Sequence, residues 1–293
     1  MKKIITIMTP TFNRAKNLLK LFESIKGQNF NLKEIEWIII DDGSIDNTEE
    51  VVHSFIEENK FDIIYKKTEN KGKHNAVNCG IELANSDYFF IVDSDDYLPE
   101  NALNIIIYWF STIIDADNFA GIGGLKSFST KEHVGTTFKD KFLDCTSIER
   151  SKNNIQGDKA EIFYTDLIKK YRFPVFENEK FLSESVLWNK IARDGYKIRW
   201  FNETIYLCEY MEDGLTKNIY KNLAKSPKGF LLYIKELIQY EAKTEIKKMY
   251  YAGTYFYLVK DYSLNSLSKE LKMKKIEILL GSLMFKLKQM IRK

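Results

Sequence analysis

Two hydrophobic periods alternate through the first hundred residues. Continuous apolar runs at 4–8, 37–40 and 88–92 suit strands covered on both faces, and a further strand is expected at 62–65. The segments between them repeat every three to four residues, as amphipathic helices do. After the first strand, which ends at Thr9-Pro10-Thr11, Leu18, Leu19, Phe22 and Ile25 share one stripe, with Asn13 as the expected cap and Gly27 as the stop. Asp46 followed by Glu49 has the spacing of a capping box before a second helix through Phe55 and Ile56, and a third helix is expected at 75–84. Repeated strand–helix units imply right-handed crossovers. The expected class is therefore α/β, with a mostly parallel central sheet flanked by helices.

Beyond Pro99 the pattern loosens. Residues 102–114 read as a helix, Gly121-Ile122-Gly123-Gly124-Leu125 as a strand entering a turn, and 128–157 as a long polar loop of the kind that covers a site or is mobile. A helix is expected at 181–194, then two short strands at 196–201 and 204–209. From about Lys217 onward the chain reads as helical and aromatic-rich, with a basic end.

Composition narrows the function classes. With 293 residues, 44% hydrophobic and 29% charged, the chain can bury a large α/β core, and a net charge of +3 spread along its length does not suggest nucleic acid. The cysteines Cys79, Cys145 and Cys208 make neither a zinc spacing nor a disulfide framework, which suits a reducing cytoplasm. Residues 1–8 lack the apolar core of a signal peptide, and no apolar run reaches transmembrane length.

Two strands end in carboxylates, at Asp41-Asp42-Gly43-Ser44 and Asp93-Ser94-Asp95-Asp96. Ligands of open α/β sheets bind beyond the carboxyl ends of strands. Asp93 and Asp95, two apart on extended backbone, project to one side, and Ser94 between them leaves room for a phosphate. Hard oxygen ligands there suit Mg²⁺ or Mn²⁺ bound to a diphosphate. The first cluster also reads as a simple strand-to-helix turn, and the second as helix-capping acids. Three acids at the end of one buried strand repel one another unless a cation intervenes.

Taken in order, Thr9-Pro10-Thr11-Phe12-Asn13-Arg14, Asp41-Asp42-Gly43-Ser44-Ile45-Asp46, Asn70-Lys71-Gly72, Asn78-Cys79-Gly80 and Asp93-Ser94-Asp95-Asp96 resemble the family 2 glycosyltransferases of GT-A fold over residues 1–100. Residues 157–216 resemble the acceptor half of bacterial members that build surface polysaccharides. The resemblance implies a GT-A (Rossmann-like) domain with a nucleotide-sugar half at 1–100, an acceptor half at 101–216 and a helical region at 217–293. It implies inverting transfer from a nucleotide diphosphate sugar, with a UDP-sugar expected, to a glycan or lipid-linked acceptor, aided by Mn²⁺ or Mg²⁺. Pro10, Thr11 and Asn13 would wrap the nucleoside, and Asp41 or Asp42 would accept the imide hydrogen of the base. Gly72, Lys73 and His74 would lie in a loop near base or phosphate, although Lys73 and His74 also read as solvated loop residues. Asp93, beside Ser94, would contact the ribose or the metal shell, and Asp95 would ligate the metal.

The resemblance places a catalytic base before a helix bearing Leu187-Trp188. Glu184 stands there where the family has aspartate, and Ser183 where it has glutamate. That departure keeps open a catalytically silent glycan-binding or assembly subunit of the same fold; a second rival, on other grounds, is a sugar nucleotidyltransferase. The latter would want a glycine-rich loop after the first strand, which Thr9-Pro10-Thr11-Phe12-Asn13-Arg14 lacks. The acidic segment 209–216 suggests either a plain turn or a lid over the diphosphate. His53 and His133 read as surface groups, and Trp109, Trp188 and Trp200 as core or acceptor-pocket aromatics. The tail 269–293 is basic and amphipathic. It suits peripheral contact with the inner face of the plasma membrane, or else packing on its own domain or on a twin subunit in a homo-oligomer.

Overall fold

A computed structural model describes residues 2–114, 116–129, 132–209 and 219–291. The chain runs β1 (Lys3–Thr11), α1 (Ala15–Lys26), β2 (Ile35–Asp41), α2 (Thr48–Glu58), β3 (Asp62–Lys67), α3 (Lys73–Leu83), β4 (Ser86–Ile91) and α4 (Ala102–Ser111). It continues with β5 (Phe119–Ser129), β6 (Glu132–His133), β7 (Phe142–Cys145), β8 (Lys159–Tyr164), α5 (Thr165–Ile168), α6 (Ser185–Arg193) and β9 (Lys197–Leu207). Helices α7 (Ile219–Ala224), α8 (Pro227–Glu236), α9 (Glu245–Leu258), α10 (Leu264–Leu271) and α11 (Lys275–Ile291) follow.

One sheet holds all these strands in the order β3-β2-β1-β4-β8-β5-β9-β7, with β6 paired to β5. The four strands from β3 to β4 are parallel. Beyond β4 the sheet is mixed: β8 is antiparallel to β4 and β5, β9 runs parallel to β5, and β7 is antiparallel to β9. The chain leaves β1 toward β2 and β3, then returns to β1's other side as β4. That reversal opens a crevice at the carboxyl ends of β1 and β4, where α/β folds bind their ligands.

Alternate residues of these strands, Ile5, Ile7, Trp37, Ile39 and Phe90, are fully buried together with Leu18, Leu21, Phe22 and Ile25 of α1. Two periods, 2.0 and 3.6, thus meet in one core. Phe22 stacks on Phe55 of α2 with centroids 4.3 Å apart, and the Trp37 indole N–H donates to Thr9 Oγ1 at 2.9 Å. Each such side chain contributes roughly 1.5–3 kcal/mol through burial.

Several boundaries differ from the sequence reading. The expected helix at 102–114 stops at Ser111. Gly121–Leu125 forms no turn and lies inside β5. The polar stretch 128–157 contains β6, β7 and a 3₁₀ turn at Ser147–Glu149, where Thr146 N–H and Oγ1 donate to Glu149 Oε2 at 3.0 and 2.9 Å. The two strands expected at 196–201 and 204–209 are one, β9. Between Gly123↔Trp200 and Leu125↔Thr204, β9 spends four residues against two of β5. This bulge absorbs Asn202 and Glu203, the polar pair that reads as a turn.

Two compact units emerge: Met1–Phe173 with Lys190–Met211, which holds the sheet, and Pro174–Asn189 with Glu212–Lys293. The second has its own apolar core of Phe230, Ile234, Ala252, Tyr255, Leu267 and Ile278. No helix among the described residues is long and apolar enough to cross a membrane.

Candidate active site

The rim of the sheet is built first by β1 and β2. Asp42 N–H donates to Thr11 O at 2.8 Å, continuing the ladder past the end of β2. Asn13 follows in the left-handed region at φ 54°. It does not cap α1: its N–H donates to Ser44 Oγ at 2.8 Å, and its Oδ1 accepts from Ile45 N–H at 2.9 Å. The N-terminus of α1 is served instead by Asp46, whose Oδ2 accepts from Ala15 N–H at 3.3 Å. The expected Asp46–Glu49 box is also replaced, because Asp46 Oδ1 accepts from both N–H and Oγ1 of Thr48. Burial would raise the Asp46 pKa, but these hydrogen bonds outweigh it and hold the carboxyl below its usual range. The two loops are thereby clasped together. Gly43, at φ +83°, makes the turn that follows β2, and a Cβ there would meet Asn70 N at 3.0 Å.

Asp41 and Asp42 are both buried and hold different things. Asp41 Oδ1 accepts from Ser44 N–H, and its Oδ2 from the Tyr65 hydroxyl, each at 2.7 Å. Asp42 accepts from Lys71 N–H on one oxygen and Gly72 N–H on the other, both at 2.8 Å. Asp42 thus shapes the loop that delivers α3. That helix begins at Lys73, so Lys73 and His74 lie in its first turn and not in a loop. His74 is 3% exposed, burial pushes its pKa down to about 4, and its Nδ1 has no hydrogen-bond partner. Thr11 Oγ1 at the end of β1 is likewise buried and unpartnered.

Past the end of β4, burial alternates. Val92, Ser94 and Asp96 are buried, while Asp93, Asp95 and Tyr97 are half-exposed. The acids of this cluster therefore divide into two pointing one way and one pointing the other. Lys73 Nζ reaches Asp93 Oδ1 at 2.5 Å. Burial would raise the Asp93 pKa, but Lys73 and then Lys126 more than offset it, and the group stays below the usual carboxylate range. Burial and the neighbouring Asp93 raise the pKa of Asp95, against smaller opposing influences from a backbone hydrogen bond and then from Arg14 and Lys73. Inward-facing Asp96 accepts from the Tyr206 hydroxyl at 2.7 Å and from Glu209 N–H at 2.9 Å. Burial, then Asp93, pushes its pKa up to about 7. The Tyr206 oxygen also accepts from Asp93 N–H at 2.9 Å, and Lys126 lies over the Tyr206 ring while bonding Asp158 at 2.8 Å.

The structure thus gathers Pro10, Thr11, Asn13, Asp41, Asp42, Gly72, Lys73, His74, Asp93, Ser94 and Asp95 along one rim of the sheet. The remaining expected residue, Glu184, belongs to the second unit. The helix predicted at 181–194 begins only at Ser185, and the Glu184 carbonyl accepts from Leu187 N–H at 2.9 Å, so Glu184 is the residue that opens α6. Trp109, Trp188 and Trp200 are core side chains; His133 Nδ1 is hydrogen-bonded to Ser127 Oγ at 2.9 Å, and His53 is exposed. The segment read as a lid lies outside the described residues beyond Glu209.

Among the described residues, no group of three or more His, Cys, Asp or Glu side chains could hold a metal alone. A half-buried acid at Asp95, disfavoured as an anion by burial and by Asp93, is nevertheless the donor chemistry that a hard divalent cation with oxygen ligands from a diphosphate would satisfy. Sequence reading overlooked Tyr65, Lys126, Asp158 and Tyr206. Only Asp96 left a local signal, its inward place in the period-2 alternation.

Solved structures share this architecture. S. aureus TarS 1-349 in complex with UDP-GlcNAc aligns over 92% of this chain and 84% of its own, with TM-score 0.61 and 17% identity. The mannosyltransferase PcManGT from Pyrobaculum calidifontis, in complex with GDP-Man and Mn²⁺, aligns over 97% and 87%, with TM-score 0.58 and 15% identity. These likenesses define a GT-A fold. The sequence model of glycosyl transferase family 2 matches residues 6–155, and the chain belongs to that family. Glycosyltransferase GlyG of Streptococcus pneumoniae is 29% identical over 220 residues, 71% of each chain. The GalNAc(5)-diNAcBac-PP-undecaprenol beta-1,3-glucosyltransferase of Campylobacter jejuni is 26% identical over 237 residues, 78% of this chain and 72% of its own. S. pneumoniae GlyA is 28% identical over 222 residues, only 30% of its own length.

Proposed function

We propose that the chain transfers a sugar, with inversion, from a nucleotide diphosphate sugar of the UDP type to a hydroxyl of a glycan or lipid-linked acceptor in bacterial surface-polysaccharide synthesis. The observation that carries this reading is the convergence of Thr11, Asp42, Lys73, Asp93 and Asp95 on the crevice where the sheet reverses direction. UDP-GlcNAc in one structural neighbour and an undecaprenol-linked glycan in one relative's name support the donor and acceptor classes.

Within this reading Thr11 and His74 offer unpartnered buried polar atoms to the nucleoside, and Asp42 keeps the Lys71-Gly72 backbone in shape beneath it. Lys73 is the cation that would face the diphosphate. Mn²⁺ or Mg²⁺ held by Asp95, with Asp93, would neutralise the charge that accumulates on the departing phosphate. Glu184 takes the proton of the acceptor hydroxyl as that oxygen bonds to the anomeric carbon and the carbon–oxygen bond to the β-phosphate breaks. General-base help of this kind is typically worth ~10²–10⁴-fold.

Incubation with Mn²⁺ and a panel of sugar nucleotides, followed by measurement of free nucleoside diphosphate, tests the reaction. Release by the parent chain that drops at least ~10²-fold in both Asp95→Ala and Glu184→Ala is the expected result. Consumption of pyrophosphate would favour a nucleotidyltransferase. Sugar binding with no release would favour a silent assembly subunit, the reading to which Ser183, in place of the family's glutamate, lends weight.

A further inference from the structure

Helix α11 of the second unit carries two apolar faces, and its fold uses only one of them. Ile278, Gly281 and Phe285 form the buried face. Gly281 and Gly253 put α11 and α9 in backbone contact: a Cβ at Gly253 would lie 2.0 Å from Gly281 carbonyl carbon, and one at Gly281 would lie 1.7 Å from Met249 O. Phe285 is enclosed by the rings of Tyr220, Tyr250 and Tyr257, with centroids 5.2, 6.0 and 5.3 Å away. These contacts fix the rotation of the helix about its own axis.

On the opposite side Ile276, Leu279, Leu280, Leu283, Leu287 and Met290 are 43–63% exposed. At ~100° per residue they fall within an arc of roughly 100° and form a stripe ~21 Å long. Exposed Lys275 and Lys286 border it on one edge, whereas Lys288 sits ~80° beyond the other edge with its Nζ 5.1 Å from the Tyr250 ring centroid. Glu277, the one acid in α11, accepts from Lys274 N–H at 2.8 Å and so serves the start of its own helix. Residues 272–293 together carry seven basic side chains and one acidic.

We propose that α11 is an in-plane membrane-docking helix that lays this leucine-rich stripe into the headgroup boundary of an anionic phospholipid surface. Lysines along the edge of an apolar arc can extend their charged ends to lipid phosphates while their stems stay beside the acyl region. The same arrangement argues against a second copy as the occupant, because two stripes packed face to face would leave the lysine row with no acidic row to meet it. The inference concerns the second unit and holds whether or not the first transfers sugar. If it does transfer to a lipid-linked acceptor, docking confines the enzyme to the plane of that substrate.

Flotation of the full chain, without nucleotide, on vesicles of phosphatidylcholine alone and with about one-third phosphatidylglycerol tests this directly. Binding to the anionic vesicles is expected to exceed binding to neutral ones at least about tenfold and to weaken with salt. The double variant Leu283→Glu/Leu287→Glu should float at least about tenfold less, with its melting temperature unchanged because both side chains already face solvent. Lys275→Glu/Lys286→Glu should lose most of the preference for phosphatidylglycerol. A parent chain that stays in solution with anionic vesicles overturns the proposal, as does a Leu283→Glu/Leu287→Glu variant that floats like its parent. A parent dimer that Leu283→Glu splits, with no vesicle binding, assigns the stripe to a second copy and overturns it equally.

Discussion

Lys73 Nζ lies 2.5 Å from Asp93 Oδ1, so the first turn of α3 is tied to the end of β4 across the mouth of the crevice. The pair is partly exposed, and each such pair is worth no more than ~1 kcal/mol. Its meaning is competitive: Lys73 holds an oxygen that a divalent cation at Asp95 would draw upon. Lys73→Met should therefore bind Mn²⁺ up to about fivefold more tightly in the absence of donor. Turnover should fall at the same time, because the lysine no longer meets the diphosphate. Titration calorimetry with Mn²⁺ alone checks the first half, and unchanged or weaker binding would sink it.

Asp95 should show function and stability pulling apart. Burial and the charge of Asp93 both disfavour its anion, so the folded chain near neutral pH bears a cost that an amide avoids. Asp95→Asn is expected to raise the metal-free melting temperature by about 1–2 °C. Sugar transfer should drop at least ~10²-fold as the donor oxygen is lost. A variant less stable than its parent in scanning calorimetry would contradict the account.

Tyr206 links two segments that are far apart in sequence. Its oxygen accepts from Asp93 N–H and its proton goes to Asp96. Tyr206→Phe leaves both groups short of a partner, one of them buried, and should cost roughly 1–3 kcal/mol in denaturant unfolding. The loss should shrink in Tyr206→Phe/Asp96→Asn relative to the sum of the two single changes, since the residues share one bond.

His74 sets an acid limit. Its folded pKa, about 4, lies below the unfolded value near 6.5. The unfolded chain therefore binds more protons between those values, and stability rises with pH across that window and is lost as pH falls from ~6.5 to ~4. Melting temperatures of the parent should decline more steeply through this range than those of His74→Gln. Parallel slopes would mean that the imidazole is solvated.

Much of the rim was legible in advance because its signals are local. Apolar runs broken by acids mark the ends of β2 and β4, and turn chemistry at Gly43 follows from a single backbone angle. The boundaries failed where a distant partner decided them. Asn13 reads as a cap, yet its side chain is drawn across to Ile45, and Asp46 reaches Ala15 in its place. Lys73 and His74 read as loop residues because no pattern in the sequence announces that Asp42 will organise Gly72 and start a helix there. The break at Asn202-Glu203 reads as a turn between strands, but β5 pairs with β9 on both sides of it, at Trp200 and Thr204, and the strand continues through a bulge.

From the sequence alone came the alternating periods, hence the parallel half of the sheet, and the acids placed at its carboxyl ends. Both depend only on neighbours within a few residues, where steric and hydrophobic preferences act directly. Tertiary structure decided which acid does what. Asp93 meets a lysine from another element, Asp96 turns inward to a tyrosine more than a hundred residues away, and Asp95 is left half-buried beside a like charge. The charge state of a carboxylate depends on burial and on groups brought near by folding, and those distances are set by the whole sheet and not by the order of residues along one strand.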